Sequence, residues 1–256
     1  MGSIPETGLF FDATCRVGRR AIVHPGSFYE TDVLLERMKA CGIGEALVYH
    51  NMAREYSPEV GNELLAQETA GHAELHGVWV ALPHHTAEFP EPEALVSRMK
   101  LAGIKAVRMF PAAAEHNFSL EAWSCGELLE SLEHCRIPLF LGMDQLGWND
   151  LFELCRSYPA LPIVLTEVNY RMDRRLYPLL ERFPQLRIET IGYKVHLGIE
   201  ELCKRFGAER LLFGSGMPLY SGAAAVSMVR YAGIGEREKR LIAGDNLRAM
   251  LKEVRL

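Results

Sequence analysis

The side chains able to do ionic or acid–base chemistry in this sequence collect at the ends of short apolar runs. Asp12, Cys15 and Arg16 end the first run, His50 and Asn51 the second, His84 and His85 the third. Arg108 lies inside the fourth, Asp144 and Gln145 close the fifth, and Glu167, Asn169 and Tyr170 close the sixth. Glu189, Tyr193 and Lys194 accompany the seventh, and Ser215 the eighth. Cations interleaved with carboxylates and imidazoles suit a small anionic substrate worked on by proton transfer. Arg16, Arg108 and Lys194 would hold a carboxylate, to which a planar guanidinium offers two parallel donors. Glu167 or Asp144 would be the general base and His50 or His84 the partner acid. Glu189, Tyr193 and Ser215 complete the expected substrate-contacting set. A plainer account stands beside this one. Arg108 and Glu189 fall within apolar strands, where a buried charge needs a partner, and they could pair with each other. A thiolate nucleophile at Cys15, beside Arg16, is a further option.

Eight apolar runs carry these residues. They are 9–14, 45–50, 77–82, 104–110, 138–143, 161–167, 186–191 and 211–214, and their content suits strands buried on both faces. Segments with helical spacing of apolar residues alternate with them: 32–40, 58–71, 92–102, about 120–135, 148–158, 173–183 and 197–206. Further helices are expected over 223–231, 236–243 and 246–251. Strand and helix alternating eight times predict an α/β (β/α)8 barrel forming a single domain over residues 1–256, with its site at the C-terminal strand ends. A doubly wound sheet would more often carry a glycine-rich phosphate loop after its first strand, and none is present.

The chain has 256 residues, 48% of them hydrophobic and 24% charged, enough for a sizeable core. Its net charge of -5 gives no reason to expect nucleic acid or an anionic membrane as partner. Six cysteines without a CxxC pair read as reduced thiols, and the polar start Met1–Gly8 has no apolar signal core, so a cytoplasmic protein is expected. Met-Gly-Ser-Ile-Pro-Glu has the look of a myristoylation start, but no basic patch follows it. Self-association as a homo-oligomer is left open.

Several segments resemble the amidohydrolase-related (amidohydrolase 2) family of the metal-dependent hydrolase superfamily. Phe11-Asp12-Ala13 with Gly18 looks like that family's opening Asp-x-His-x-His-x-x-Gly, and His50 with Asn62 is similar to its second-strand His and following Gly-Asn. Gly103-Ile-Lys-Ala-Val-Arg108 resembles its fourth strand, and Arg210-Leu-Leu-Phe-Gly-Ser215 its last, which usually continues Asp-x-Pro. The resemblance implies a TIM barrel and chemistry on a small carboxylate-bearing ester, lactone or amide, with decarboxylases and hydratases as the alternative branch and a catalytically silent binding barrel as another. It also exposes departures. The His-x-His positions hold Thr14 and Arg16, Met143 and Asp144 stand where a fifth-strand His is expected, Glu167 replaces the sixth-strand His, and Gly216 replaces the closing Asp. A fixed cation beside a divalent ion is electrostatically costly, so no metal is expected. A zinc-type site rebuilt from His50, His84, Asp144 and Glu167 is the alternative. Purified protein is therefore expected to carry no stoichiometric zinc or manganese after dialysis, which metal analysis checks.

Overall fold

The computed structural model describes residues 9–256; the amino-terminal Met1–Glu6 stretch lies outside them. The chain alternates parallel strands and helices. Strands β1 (Phe10–Val17), β2 (Ile43–His50) and β3 (Leu75–Gly77) form one parallel sheet in chain order. Strands β4 (Trp79–Val80), β5 (Val107–Met109), β6 (Leu139–Gly142), β7 (Ile163–Thr166), β8 (Leu186–Glu189) and β9 (Leu211–Leu212) form a second, also in chain order. The expected third strand is thus β3 and β4, interrupted at Val78. Backbone bonds join the two sheets there and at their other edges: Val78 N–H donates to Val48 O at 2.8 Å, and Ala13 N–H donates to Phe213 O at 2.9 Å.

Helices α1 (Thr31–Cys41), α2 (Asn51–Glu55), α3 (Pro58–Thr69), α4 (Pro92–Ala102), α5 (Ala122–His134), α6 (Trp148–Ser157), α7 (Asp173–Arg182) and α8 (Gly198–Phe206) return the chain between strands. Parallel neighbours require such crossovers. The short α2 was not expected from the sequence. It starts directly at the end of β2 because His50 caps it, its Nδ1 accepting from Met52 N–H at 3.0 Å. Gly61 of α3 packs so closely on α2 that a Cβ there would lie 2.1 Å from Ala53 N, which fixes α2 against its neighbour.

At the carboxyl end come α9 (Gly222–Arg230), α10 (Glu236–Arg240) and α11 (Asn246–Lys252), with a π turn over Leu241–Asp245 between the last two. From that turn Ile242 O accepts from Phe213 N–H at 3.0 Å, and Asn246 Nδ2 donates to Ala208 O and Leu211 O at 2.8 and 2.9 Å. The last strand is therefore held by the closing helices as well as by β8.

Two apolar clusters result. The larger packs the helices against the strands. The smaller draws on strands of both sheets, with Leu47, Val80, Phe140 and Leu212 buried, and reaches Leu247, Met250 and Leu251 of α11. Among the described residues no helix is long and apolar enough to cross a membrane. Asn62 shows how the irregular third strand is kept in place. Its side chain accepts from Val80 N–H and donates to Val80 O, both at 2.9 Å, acting as a substitute strand neighbour. Asn62→Ala strands two buried backbone groups and is expected to cost about 2–4 kcal/mol, read as a lowered thermal melting point.

Candidate active site

The register of β1 on β2 sets Arg16 beside Tyr49, and a shift between Asp12 and Cys15 breaks the simple alternation of β1. The Arg16 guanidinium lies 5.8 Å from the centre of the Tyr49 ring, and that of Arg108 lies 5.1 Å from Tyr49 and 5.4 Å from Phe110. Arg54, carried by α2, lies 4.6 Å from Phe110. Three guanidiniums thus converge on two aromatic rings whose centres are 5.7 Å apart. The ring faces offset part of the cations' desolvation.

Few anions balance them. Arg54 is paired with Glu115, which holds its charge firmly. Arg108 donates through Nη2 to Thr166 Oγ1 at 2.8 Å, but its Nε is buried without a partner. Burial pulls the Arg108 pKa down, against the pull of Tyr49 and Glu167. The buried Arg16 has no side-chain hydrogen bond or ion pair among the described residues. The charges of Arg16 and Arg54 depress the Arg108 pKa further, as like charges repel. Glu167 follows β7 with φ of +60°, a left-handed conformation that costs a non-glycine residue about 1–2 kcal/mol.

The carboxyl groups collect separately. Asp12 Oδ1 accepts from Thr14 N–H at 3.0 Å and from Ser215 N–H at 2.9 Å. Glu189 Oε1 accepts from Ile191 N–H at 2.6 Å. Asp12 Oδ2, Thr14 Oγ1 and Glu189 Oε2 are buried with no partner. Gly214 makes room for them, since a Cβ there would sit 2.2 Å from Glu189 Oε1 and 2.4 Å from Thr14 Oγ1. Burial raises the pKa of both carboxyls, Glu189 well above the usual range, with the charges of Asp12 and Glu167 adding to it. Among the described residues no direct ion pair joins Arg108 to Glu189, although the Arg108 charge still pulls the Glu189 pKa down against its burial. Cys15 is buried against Ser215 Oγ at 3.7 Å, and burial followed by the Asp12 charge pushes its thiol pKa well up. A thiolate nucleophile is not supported there.

The other expected residues go elsewhere. The cap bond uses the His50 Nδ1 lone pair, so the proton sits on Nε2, 3.3 Å from Glu68 Oε1. His84 packs on His85 and faces Glu127 of α5 at 3.7 Å, in a groove between α4 and α5. Asp144 is exposed and accepts from Gln145 Nε2 at 3.0 Å, on the rim of a cavity of about 800 Å³ lined also by Pro111, Phe118 and Tyr158. Tyr193 donates to Asp173 Oδ1 and meets Tyr177 Oη, both at 2.9 Å, which ties the segment after β8 to α7. Lys194 is exposed, its ammonium 5.0 Å from the Tyr220 ring centre. Ser215 Oγ accepts from Met217 N–H at 3.1 Å.

Sequence reading missed Tyr49, Arg54, Thr166 and the loop residues Glu115 and His116. His116 Nε2 donates to Arg54 O at 2.8 Å, which leaves Nδ1 as a buried acceptor with no partner. Tyr49 had a usable signal, since it alternates with Leu47 on one face of β2. Arg54 had none, because α2 was unforeseen.

The donor set does not fit a divalent metal. Among the described residues no group of three or more His, Cys, Asp or Glu side chains could hold one. His50, His84, Asp144 and Glu167 have separate surroundings, so the rebuilt site is not assembled. At Gly216 φ is +67° and a Cβ would lie 2.7 Å from the Tyr220 ring, so an aspartate would be both strained and obstructed there.

Glu189 gives a pH test. Its folded pKa is raised, so above the ordinary carboxyl value the folded state keeps a proton that the unfolded state has lost. Its contribution to stability is full below the unfolded pKa and falls as pH rises toward the folded one, by about 1.4 kcal/mol per pH unit. Glu189→Gln keeps the Ile191 bond and is expected to flatten this decline, so that its advantage over the native protein in denaturant titrations grows from pH 5 to pH 8.

Solved structures with the same fold include 2,6-dihydroxybenzoate decarboxylase in complex with 2,6-dihydroxybenzoate, at TM-score 0.77 and 15% identity, covering 97% of this chain and 99% of that one. A 5-carboxyvanillate decarboxylase from Sphingomonas paucimobilis matches at 0.71 and 14%, covering 95% and 98%. A probable 2-pyrone-4,6-dicarboxylic acid hydrolase from Acinetobacter baumannii, with citric acid bound, matches at 0.67 and 14%, covering 95% and 99%. No curated protein sequence matches the chain significantly. The family model described as amidohydrolase matches residues 27–252, and the chain belongs to the amidohydrolase family.

Proposed function

We propose that the chain binds a small aromatic carboxylate on Arg16 and Arg108 and acts on it as a lyase, releasing the carboxylate as carbon dioxide. The observation that carries this is the gathering of Arg16 and Arg108, both buried and both keeping donors without a partner, in a site where burial pushes the pKa of Glu189 well up. The similarity to decarboxylases of hydroxylated benzoates points the same way. The sheets, bonded at Val78 and Ala13, would close as one eight-stranded barrel around these side chains.

Hydrolysis needs a base that activates water. Decarboxylation of an aromatic acid needs a proton delivered to the ring carbon that bears the carboxylate. In the proposed step Glu189 supplies that proton, the carbon–carboxylate bond breaks, its electron pair restores the ring, and carbon dioxide leaves. Water then returns a proton to Glu189. Arg16 and Arg108 orient the carboxylate and stabilise negative charge on a neighbouring ring oxygen. Glu167, near Arg108, would take the proton of a ring hydroxyl.

Opening of an anionic lactone is the second reading. It is favoured by Glu167, a partly exposed strand-end carboxylate in a strained conformation, and by the likeness to a probable pyrone dicarboxylate hydrolase. Incubation with 2,6-dihydroxybenzoate, 5-carboxyvanillate and 2-pyrone-4,6-dicarboxylate, followed chromatographically, separates the two. Decarboxylated product is expected, with Arg108→Met lowering turnover or affinity about 100-fold. Opened lactone would select the hydrolase. Thermal stabilisation without turnover would leave a binding protein, and neither effect with any acid would overturn the anion site.

A further inference from the structure

The Tyr49 hydroxyl is buried at the centre of the arginine group, has no hydrogen-bond partner of ordinary geometry, and is left unused by the chemistry above. The charged groups around it come from several elements. Arg16 of β1 and Arg108 of β5 lie over its ring, and Arg54 of α2 approaches the hydroxyl. Glu115 is engaged by Arg54, and Glu167 acts on Arg108 from the end of β7. On the same strand His50 is turned to Glu68. Arginine has donors only. A neutral phenol among arginines has nowhere to point its hydrogen, whereas a phenolate can accept from Arg54 and is attracted by the charges of Arg16 and Arg108.

We infer that Tyr49 is a proton-exchanging residue of this site, giving its proton to solvent when only the arginines face it and taking one back when a carboxylate joins them. The inference deepens the function proposed above and rests on the same anion site. Burial by itself would raise the Tyr49 pKa, but Arg16, Arg108 and Arg54 outweigh it and hold the hydroxyl below the ordinary tyrosine value. A bound carboxylate opposes that pull, so its binding and proton uptake at Tyr49 favour each other reciprocally. At most one proton enters from water per carboxylate bound, and no other bond changes. The outcome is a phenol proton available beside the substrate only once the substrate is in place.

Ultraviolet titration of tyrosinate in the full chain tests this without any ligand. The native protein is expected to show one tyrosine ionising below the rest, a step that Tyr49→Phe lacks and Arg54→Gln moves to higher pH. Circular dichroism checks that both variants are folded, and Phe keeps the ring against the arginines. Calorimetry with 2,6-dihydroxybenzoate as the probe, in two buffers of different ionisation enthalpy at the pH of that step, is expected to show proton uptake that Tyr49→Phe loses. Superimposable titrations of the native protein and Tyr49→Phe overturn the inference whether or not the probe binds. Equal proton uptake by both proteins overturns the linkage. A probe that fails to bind strikes the carboxylate reading instead, while the ligand-free titration still decides for Tyr49.

Discussion

Arg16, Arg54 and Arg108 repel one another, and holding them together in a buried place constrains much of what surrounds them. Each is kept by a different device. Arg16 is fixed by the parallel register of β1 on β2, Arg54 by a short helix that His50 caps and Gly61 lets α3 press against, and Arg108 by a single bond to Thr166. The faces of Tyr49 and Phe110 receive the cations where carboxylates would otherwise be required. A ring attracts a cation without neutralising it. The positive potential therefore remains for something else to use.

The carboxyl groups make the complementary point. Asp12 and Glu189 are as deeply buried as the arginines, yet they do not neutralise them, because backbone N–H groups of Thr14, Ser215 and Ile191 hold their inner oxygens in place. A buried carboxyl kept away from a counter-ion takes up a proton rather than bear a charge in a poor solvent. The site thus separates guanidiniums with unused donors from carboxyls whose pKa values burial pushes up. An ion pair between Arg108 and Glu189 would have cancelled both properties.

The alternation of strands and helices could be read from the sequence because apolar periodicity is a local signal that packing preserves. The helix over 92–102 and the strand start at 186 were placed to the residue. The third strand, expected as one run, is broken at Val78 because Asn62 stands in as the neighbour of Val80. The strand ends were less informative. Arg16, Arg108 and Glu167 do stand near one another, but His84, Asp144, Tyr193 and Lys194 are turned toward helices, loops or solvent. A strand end gives the height of a side chain and not its direction. An aromatic residue in an apolar strand such as Tyr49 has the same local signal as core. Only the arginines from other elements make it something more.

Gly216 shows how the loss of a metal ligand is built into the backbone. The family resemblance leads one to expect an aspartate here, yet the residue has a left-handed conformation and the Tyr220 ring occupies the space a side chain would need. Restoring the carboxylate alone would not restore its geometry. The same holds at Arg16, where an imidazole would remove a cation from the Tyr49 ring without supplying the other donors a metal requires. A divalent ion and a pair of guanidiniums can both hold an oxygen that carries negative charge. They differ in what they ask of their surroundings: the ion wants several anionic or imidazole donors, while the guanidiniums want aromatic faces and few competing carboxylates. The residues around Tyr49 meet the second requirement, and among the described residues no cluster meets the first.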